Sequence, residues 1–444
     1  MYRTKGAKNK DGPPNATGPA KSISKKVSKL LMLPPRPFLK NPETMQQVLE
    51  KIDGPTTGKA SATRQRSRKW TVPTLRDKDL IDKMIETTGL LDFHDKIVLE
   101  MNPGPGFLAE RILEVVKPRK YIALESREGF IAPLEELNSH YPDTEVIVRE
   151  ADGFEWSAFS DLEKQGILRH DELQHDRNEI NPNFIFIATA KSPQMDQLIA
   201  QWLDTMGTSS WLQKFGRVRM YLFVTRPIRQ RLLAQPGSVL RSKGTFVREG
   251  TCDVREILHN PYVLNELHED RILYQEDFED RAQSPDSITV RPDQYHPMCS
   301  LSLLEVNPYE KSKITAPWET FEFIVRTLLM NKSTPLYQQI RTVASGAYVL
   351  LSKLSPQLIK KWPQDMTIED MNEISLAFDA WPFKPRFLNA DVSEVTDSRT
   401  KKYGRLIRQQ SGSYRPTLAD FDLPERDDGV DSSEEVTVAI QPKL

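Results

Sequence analysis

Three acidic side chains follow three successive apolar segments of this 444-residue chain. Glu100 begins the pattern Glu-x-x-x-Gly-x-Gly with Gly104 and Gly106, Glu125 ends the segment YIALE, and Asp152 follows the next apolar segment. Glycines let a backbone approach a ligand closely, and carboxylates at strand ends can accept hydrogen bonds from ribose hydroxyls. We therefore expect a nucleotide-type pocket, the alternative being that these are solvated loop acids.

A second group of residues has the chemistry to bind nucleic acid. Phe154 and Trp156 follow Asp152 at a strand end, so they either stack on unpaired bases or belong to the core, whereas Trp202 and Trp211 are more typical of a core. Residues 205–248 contain no acid, which favours a phosphate-binding face over an ordinary solvated basic surface. The basic residues of this stretch are Lys214, Arg217, Arg219, Arg226, Arg229, Arg231, Arg241, Lys243 and Arg248.

These residues require a sheet whose strands end at one common edge. A helix with its apolar residues on one face is predicted over 77–89, with Gly89 as its stop. Helices are also predicted over 107–116 and from Pro227. Strands alternating with helices predict an α/β fold with a parallel, doubly wound sheet. The predicted strands are 96–101, 121–125, 146–149, 184–190 and 218–225.

The pattern changes near residue 313. An amphipathic helix is indicated by five apolar residues at helical spacing that end at Leu328 and Leu329. Further helical stretches follow it, so we expect a small all-helical C-terminal domain over 313–390. The α/β domain accordingly spans 71–312. Residues 391–444 form a polar tail, predicted to be disordered, with a basic block at 399–415 and an acidic block at 420–435.

The first 70 residues hold sixteen Lys and Arg against four acids, although the whole chain carries a net charge of −1. A basic, acid-poor, amphipathic beginning resembles a mitochondrial presequence, the alternative being a solvated basic tail. Two cysteines, Cys252 and Cys299, are too few for a disulfide framework or a cysteine metal site, so we expect no metal. No apolar run is long enough to span a bilayer, so no membrane partner is expected.

The acids and glycines resemble the rRNA adenine dimethyltransferases, a family of class I S-adenosylmethionine (SAM) methyltransferases. The resemblance implies that Glu100, Gly104 and Gly106 flank the methionine part of SAM, that Glu125 holds the ribose and that Asp152 contacts the adenine. Asn102 departs from the family, which usually has a glycine there, and its side chain would crowd the cofactor.

The catalytic motif of these enzymes is missing at the end of the fourth strand. They carry Asn-(Leu/Ile)-Pro-(Tyr/Phe) there, which hydrogen-bonds and stacks on the flipped base. This chain has Ala188, Thr189, Ala190 and Lys191 instead. The run 181–184, which looks similar, lies at the entrance of the strand. Base methylation is therefore expected to be impaired or lost, and no catalytic residue is assigned.

Longer runs are similar to fungal mitochondrial transcription initiation factors, which partner a single-subunit mitochondrial RNA polymerase. They are LIAQWLDTMG, WLQKFGRVRM, RQRLLAQPGSVLRSK, FVRE, NKSTPL and WPFKP, and the likeness covers about residues 95–390. The resemblance implies a methyltransferase-like domain, a helical C-terminal domain and a flexible tail. It also implies promoter melting by capture of the non-template strand, with Phe154 and Trp156 at the contacting positions.

The leading hypothesis is therefore a monomeric initiation factor of the mitochondrial matrix. Its partners would be the polymerase, the non-template strand of promoter DNA and, if the family's older role persists, rRNA. The rival hypothesis is a mitochondrial rRNA adenine N6-dimethyltransferase, favoured by Glu100, Glu125 and Asp152. A third hypothesis combines both, because a vestigial SAM pocket can outlast its chemistry.

Overall fold

The computed structural model describes residues 73–190, 195–264, 272–274, 284–296, 298–385 and 388. Apart from residue 388, the described residues belong to one compact unit. The predicted presequence and the predicted charged tail lie outside the described residues. The boundary predicted between residues 312 and 313 stays a prediction.

An eight-stranded sheet organises the described part of the chain. Its strands lie in the order β10-β7-β12-β6-β5-β2-β3-β4. Strands β1 and β11 form one small pair, and β8 and β9 form another. The strands are β1 Thr74–Leu75, β2 Ile97–Met101, β3 Lys120–Glu125, β4 Glu145–Glu150, β5 Ile180–Ala190, β6 Arg217–Thr225, β7 Cys252–His259, β8 Tyr262–Leu264, β9 Ile272–Tyr274, β10 Ile288–Thr289, β11 Tyr295–His296 and β12 Leu301–Pro308.

The five predicted strands are present as β2 to β6, and the pairs that they form with one another are all parallel. Their spatial order reverses between β2 and β5, which makes the carboxyl ends of these two strands the topological switch point. Beyond β6 the sheet continues with β12, which runs antiparallel to both β6 and β7. The prediction of a doubly wound sheet is confirmed, and its ligand-binding crevice is expected at the switch point.

Twelve α-helices and several short 3₁₀ turns are present among the described residues. No described helix has the length and apolarity needed to cross a membrane. The helices are α1 Lys78–Thr88, α2 Phe107–Val115, α3 Glu128–Glu135, α4 Leu137–His140, α5 Trp156–Lys164, α6 His170–Leu173, α7 Met195–Thr208, α8 Arg226–Leu233, α9 Lys243–Thr251, α10 Trp318–Leu329, α11 Leu336–Gln339 and α12 Ile368–Asp379.

Helix α1 shows why local sequence predicts these boundaries well. The Asp77 side chain accepts a hydrogen bond from the Leu80 backbone N–H at 3.1 Å and so caps the first turn. Gly89 adopts a left-handed conformation with φ 67°, which ends the helix at a position that favours glycine. Both signals are local, and the predicted helix is confirmed to within one residue.

Two hydrophobic layers cover the two faces of the sheet. Along β2, Val98 packs in one layer, whereas Ile97 and Leu99 pack in the other. Helices α1 and α2 contribute to the first layer, and α5 and α7 contribute to the second. Strands buried on both faces are characteristic of parallel sheets. This burial leaves the strand ends as the places where polar side chains can meet a ligand.

The helices after residue 313 pack on the α/β part through two glycines. A β-carbon at Gly207 of α7 would lie 2.3 Å from the Trp318 ring, and one at Gly250 of α9 would lie 2.5 Å from Ile314. Neither distance is compatible with a larger residue unless the partner moves. The predicted amphipathic helix is present as α10, which packs against α12.

Candidate cofactor pocket and nucleic-acid interface

The loop between β2 and α2 has three left-handed residues within five positions. They are Asn102 at φ 60°, Gly104 at φ 62° and Gly106 at φ 85°. Asparagine adopts this conformation more readily than other residues with a β-carbon. The Asn102 side chain donates from Nδ2 to the Thr189 carbonyl oxygen at 3.2 Å, and so ties the loop to the end of β5. The departure from glycine at this position is therefore structurally accommodated.

Glu100 is buried at the end of β2. The Tyr121 hydroxyl on β3 donates a hydrogen bond to Glu100 Oε2. Burial raises the pKa of the Glu100 carboxyl to about 7; the Tyr121 hydrogen bond opposes this rise, and the nearby Glu125 carboxylate adds to it. Glu100 is therefore close to half protonated at neutral pH, which weakens its attraction for a cationic ligand.

Glu125 ends β3 and has none of its side chain exposed. Its Oε2 accepts from the Gly104 backbone N–H at 3.0 Å, and its Oε1 accepts from the Arg127 backbone N–H at 3.0 Å. The Arg127 guanidinium adds a bidentate ion pair, with Nε on Oε1 at 2.5 Å and Nη2 on Oε2. Arg127 is not among the predicted site residues, although its charge, two residues beyond a strand-end acid, is visible in the sequence.

Asp152 lies in the loop after β4 and is exposed. Its Oδ1 accepts from the Phe154 backbone N–H at 3.0 Å, which turns the chain toward α5. The intervening Gly153 lies directly on Met101, because a β-carbon there would lie 2.6 Å from the Met101 side chain. Asp152 thus remains available to a ligand, whereas Glu100 and Glu125 are engaged with protein groups.

The structure brings the glycine loop, Glu100 and Glu125 together, but the pocket does not fit SAM as it stands. A ribose diol needs acceptor positions on Glu125, and these positions face protein N–H groups. At the end of β5, Ala188 and Thr189 are buried and Ala190 belongs to the strand, whereas Lys191 lies outside the described residues. None of the first three supplies the amide or the aromatic ring that base methylation requires.

Trp156 is the first residue of α5 and is 38% exposed. Its ring meets the Trp211 ring edge-on, with 5.5 Å between centroids and 88° between planes. Trp211 stacks in parallel on Trp202 at 5.4 Å, and Trp202 is in the core, as expected. Phe154 packs partly against the second hydrophobic layer. Trp156 therefore presents an open ring surface on a rigid aromatic base.

The predicted phosphate-binding face requires two corrections. Arg229 and Arg241 are each only 1% exposed. Arg229 forms a bidentate pair with the buried Glu256, and Arg241 pairs with Glu249 at 2.8 Å while its guanidinium lies over the Phe246 ring. Buried arginines paired in this way hold elements of the fold together. The prediction that they contact phosphates is wrong for this structure.

The other basic residues of the stretch have partners but remain partly exposed. Lys214 pairs with Glu163, Arg231 pairs with Asp196, and Lys243 lies between Asp204 and Glu322. On β12, the Pro308 carbonyl oxygen accepts a hydrogen bond from Arg217, and Asn307 Oδ1 accepts one from Arg219. Acids from elsewhere in the chain therefore neutralise much of a stretch that has no acid of its own.

The strand order, the glycine loop at the switch point and the acids at the ends of β2 and β3 define the class I SAM-dependent methyltransferase fold. The chain belongs to the ribosomal RNA adenine dimethylase family, whose model matches residues 64–376. The fold indicates SAM as the family's cofactor.

Relatives within this family carry two kinds of name. Mitochondrial transcription factor 1 of Lachancea kluyveri is 28% identical over 65% of this chain and 82% of that protein. Mitochondrial transcription factor 1 of Saccharomyces cerevisiae is 28% identical over 71% of this chain and 89% of that protein. Mitochondrial dimethyladenosine transferase 1 of Vermamoeba vermiformis is 22% identical over 71% of this chain and 91% of that protein.

Among solved structures, a dimethyladenosine transferase from Plasmodium falciparum aligns with a TM-score of 0.46 and 14% identity. The alignment covers 69% of this chain and 97% of that one. A similarity at this level carries no inference about activity.

Proposed function

We propose that this chain is a mitochondrial transcription initiation factor that helps a single-subunit RNA polymerase melt promoters by binding the non-template strand. The observation that carries the proposal is the match to two proteins named mitochondrial transcription factor 1 over 82% and 89% of their lengths. The strand-capture mechanism comes from the resemblance to that group of factors.

The aromatic cluster supports base capture. Trp156 has an exposed ring surface, and its contact with Trp211 restricts the orientations that the ring can adopt. A ring fixed before binding loses less conformational entropy when a base stacks on it. Stacking is worth about 1–3 kcal/mol per base and tolerates any sequence, which suits a factor that captures unpaired promoter bases. Phe154, being partly packed against the core, would contribute a smaller surface.

The partly exposed cations are the proposed phosphate contacts. Among the described basic residues of 205–248 that form an ion pair with a carboxylate, Lys214 and Arg231 have the most exposed side chains, at 38% and 40%. Exposed ion pairs of this kind contribute little stability, so a phosphate can replace the carboxylate at small cost. Arg217, Arg219 and Lys243 complete the proposed set, and the side chains of Arg219 and Lys243 are each 23% exposed.

SAM is not required for this function, and we treat its pocket as vestigial. The alternative function, rRNA adenine N6-dimethylation, is favoured by family membership and by the relative named dimethyladenosine transferase. It is disfavoured at the end of β5, where Ala188 and Thr189 replace the motif that engages the target adenine.

The proposed cellular setting follows from the same relatives. Proteins named as mitochondrial support a mitochondrial location, and we place this chain in the matrix, where a promoter-bound polymerase works. The basic residues 1–70 would serve as the targeting presequence. We further propose that the factor acts as a monomer on the polymerase and promoter, and that any rRNA binding is a remnant of the family's older role.

Two parallel assays separate the candidate functions. In the first, promoter-specific initiation by the cognate polymerase is measured on duplex DNA and on the same promoter with a pre-melted bubble. A melting factor should be required on the duplex and be nearly dispensable on the bubble. In the second, the protein is incubated with a small-subunit rRNA hairpin and labelled SAM. Equal dependence on both DNA templates, together with labelling of the hairpin, would favour the enzyme.

A further inference from the structure

The carboxylate of Glu125 is fully supplied with hydrogen bonds by the protein itself. A carboxylate offers about four lone-pair positions. Four N–H groups face the two oxygens of Glu125: the backbone N–H groups of Gly104 and Arg127, and Nε and Nη2 of the Arg127 guanidinium. Hydroxyl groups of a ribose would therefore have to displace some of these donors.

Arg127 is held in this position from two sides. Only 13% of its side chain is exposed. Its guanidinium lies over the Phe130 ring, with 4.8 Å from Cζ to the ring centroid. A bidentate guanidinium–carboxylate pair fixes both distance and orientation, so the arginine has little freedom to swing aside.

The position of this charge is unfavourable for the helix that follows. Arg127 is the N-cap residue of α3, and its side chain makes no capping hydrogen bond. A cation at a helix N-terminus opposes the helix dipole, where an acidic or small polar residue is preferred. The ion pair with Glu125 offsets this cost. A residue that breaks a local rule while making a strong tertiary contact is expected to have a specific role.

We propose that Arg127 occupies the ribose-diol site on Glu125 and thereby excludes SAM and related adenosyl nucleosides from the pocket. The fold is that of a SAM-binding family, and the acid that would hold the ribose is retained, but its acceptor positions are filled internally. The inference goes beyond the initiation role, because it concerns ligand binding in the absence of polymerase and DNA.

Binding of S-adenosylhomocysteine to the full chain, measured by isothermal titration calorimetry, tests the proposal. The wild-type protein should show no saturable binding at millimolar ligand, so its dissociation constant lies above that concentration. Arg127→Ala should bind with a dissociation constant at least about tenfold below this limit, a change of ~1.4 kcal/mol. Arg149→Ala is the matched control, since Arg149 lies on the neighbouring strand and pairs with Gln165 away from Glu125. This variant should behave like the wild type.

Thermal unfolding with and without the same ligand provides a second measurement. Arg127→Ala should melt at a lower temperature, because Glu125 loses its charge partner, and the ligand should raise its melting temperature more than that of the wild type. If Arg127→Ala does not fold, Arg127→Met replaces it, because methionine retains an apolar side chain beside Phe130 that has no N–H donor for Glu125.

Two results would overturn the proposal. One is wild-type binding as tight as that of the variant. The other is a folded Arg127 variant that still does not bind; if Asn102→Gly alone then gains binding, the exclusion belongs to Asn102. A protein that fails to support initiation would contradict the proposed function but leave this inference standing.

Discussion

Replacing Trp156 with alanine separates a base-stacking role from a structural one. Trp156 is 38% exposed and, among the described residues, its ring meets that of Trp211 edge-on at 5.5 Å. Such an aromatic pair contributes about 0.5–1.5 kcal/mol beyond its buried area, so Trp156→Ala should cost about 1–2 kcal/mol of unfolding free energy. This is less than the ~3–5 kcal/mol expected for a fully buried aromatic residue.

The same substitution should weaken promoter opening more specifically. Loss of one stacking surface should reduce the equilibrium constant for opening by about 5- to 150-fold, corresponding to ~1–3 kcal/mol. Binding to closed duplex DNA and its salt dependence should barely change, because phosphate contacts determine both. Opening is measured by 2-aminopurine fluorescence at the melted bases, and stability by urea unfolding of the same preparation.

Trp362→Ala is the matched control, since Trp362 is 43% exposed but lies among the C-terminal helices. This variant should leave opening unchanged. The base-stacking role is refuted if Trp156→Ala loses core-like stability while each folded molecule still opens the promoter normally. It is also refuted if both tryptophan variants reduce opening equally.

Three further predictions concern other parts of the molecule. The pKa of Glu100 is about 7 in the folded state against 4.5 in the reference state, so the folded protein binds this proton more tightly. The contribution of Glu100 to the free energy of unfolding should therefore fall as pH rises through 4.5–7. Glu100→Gln does not titrate, so between pH 5 and 8 its free energy of unfolding in urea should rise relative to that of the wild type by up to about 3 kcal/mol. Arg229→Ala should lose about 3–5 kcal/mol of stability because the buried Glu256 carboxylate loses the bidentate guanidinium that neutralises it, while the salt slope of DNA binding per folded molecule stays the same; a reduced slope would restore Arg229 as a phosphate contact. Deleting residues 391–444 should alter start-site selection or promoter escape without changing the melting temperature, and loss of folding on truncation would show that the domain boundary is misplaced.

Local patterns account for the part of the fold that sequence analysis predicted correctly. Strands β2 to β6 are apolar runs bounded by polar residues, and α1 has both a capping aspartate and a terminal glycine. Glu100 and Glu125 come at the ends of strands that alternate with helices. Because such strands are parallel and end at a common edge of the sheet, the sequence predicted that the two acids meet there. These features depend on residues that are near one another in the chain.

The pairing of charges could not be predicted in the same way. Arg229 and Glu256 are 27 positions apart, and Lys243 and Glu322 are 79 positions apart. A stretch without acids therefore looked like a basic face, because its partners lie on other elements of the fold. Burial, which turns a surface arginine into a core ion pair, depends on how the helices pack rather than on local composition.

The sequence by itself determined the order of strands and helices, the glycine loop and the loss of the motif after β5, because each depends on residue type and local spacing. Only the tertiary structure decided which of these groups are free to act. It places the Gly104 backbone N–H against Glu125, buries Arg229 and Arg241, and supports Trp156 on Trp211. The physical reason is that hydrogen bonds, ion pairs and ring contacts act over a few ångströms, and packing brings chain segments that are distant in sequence within that range.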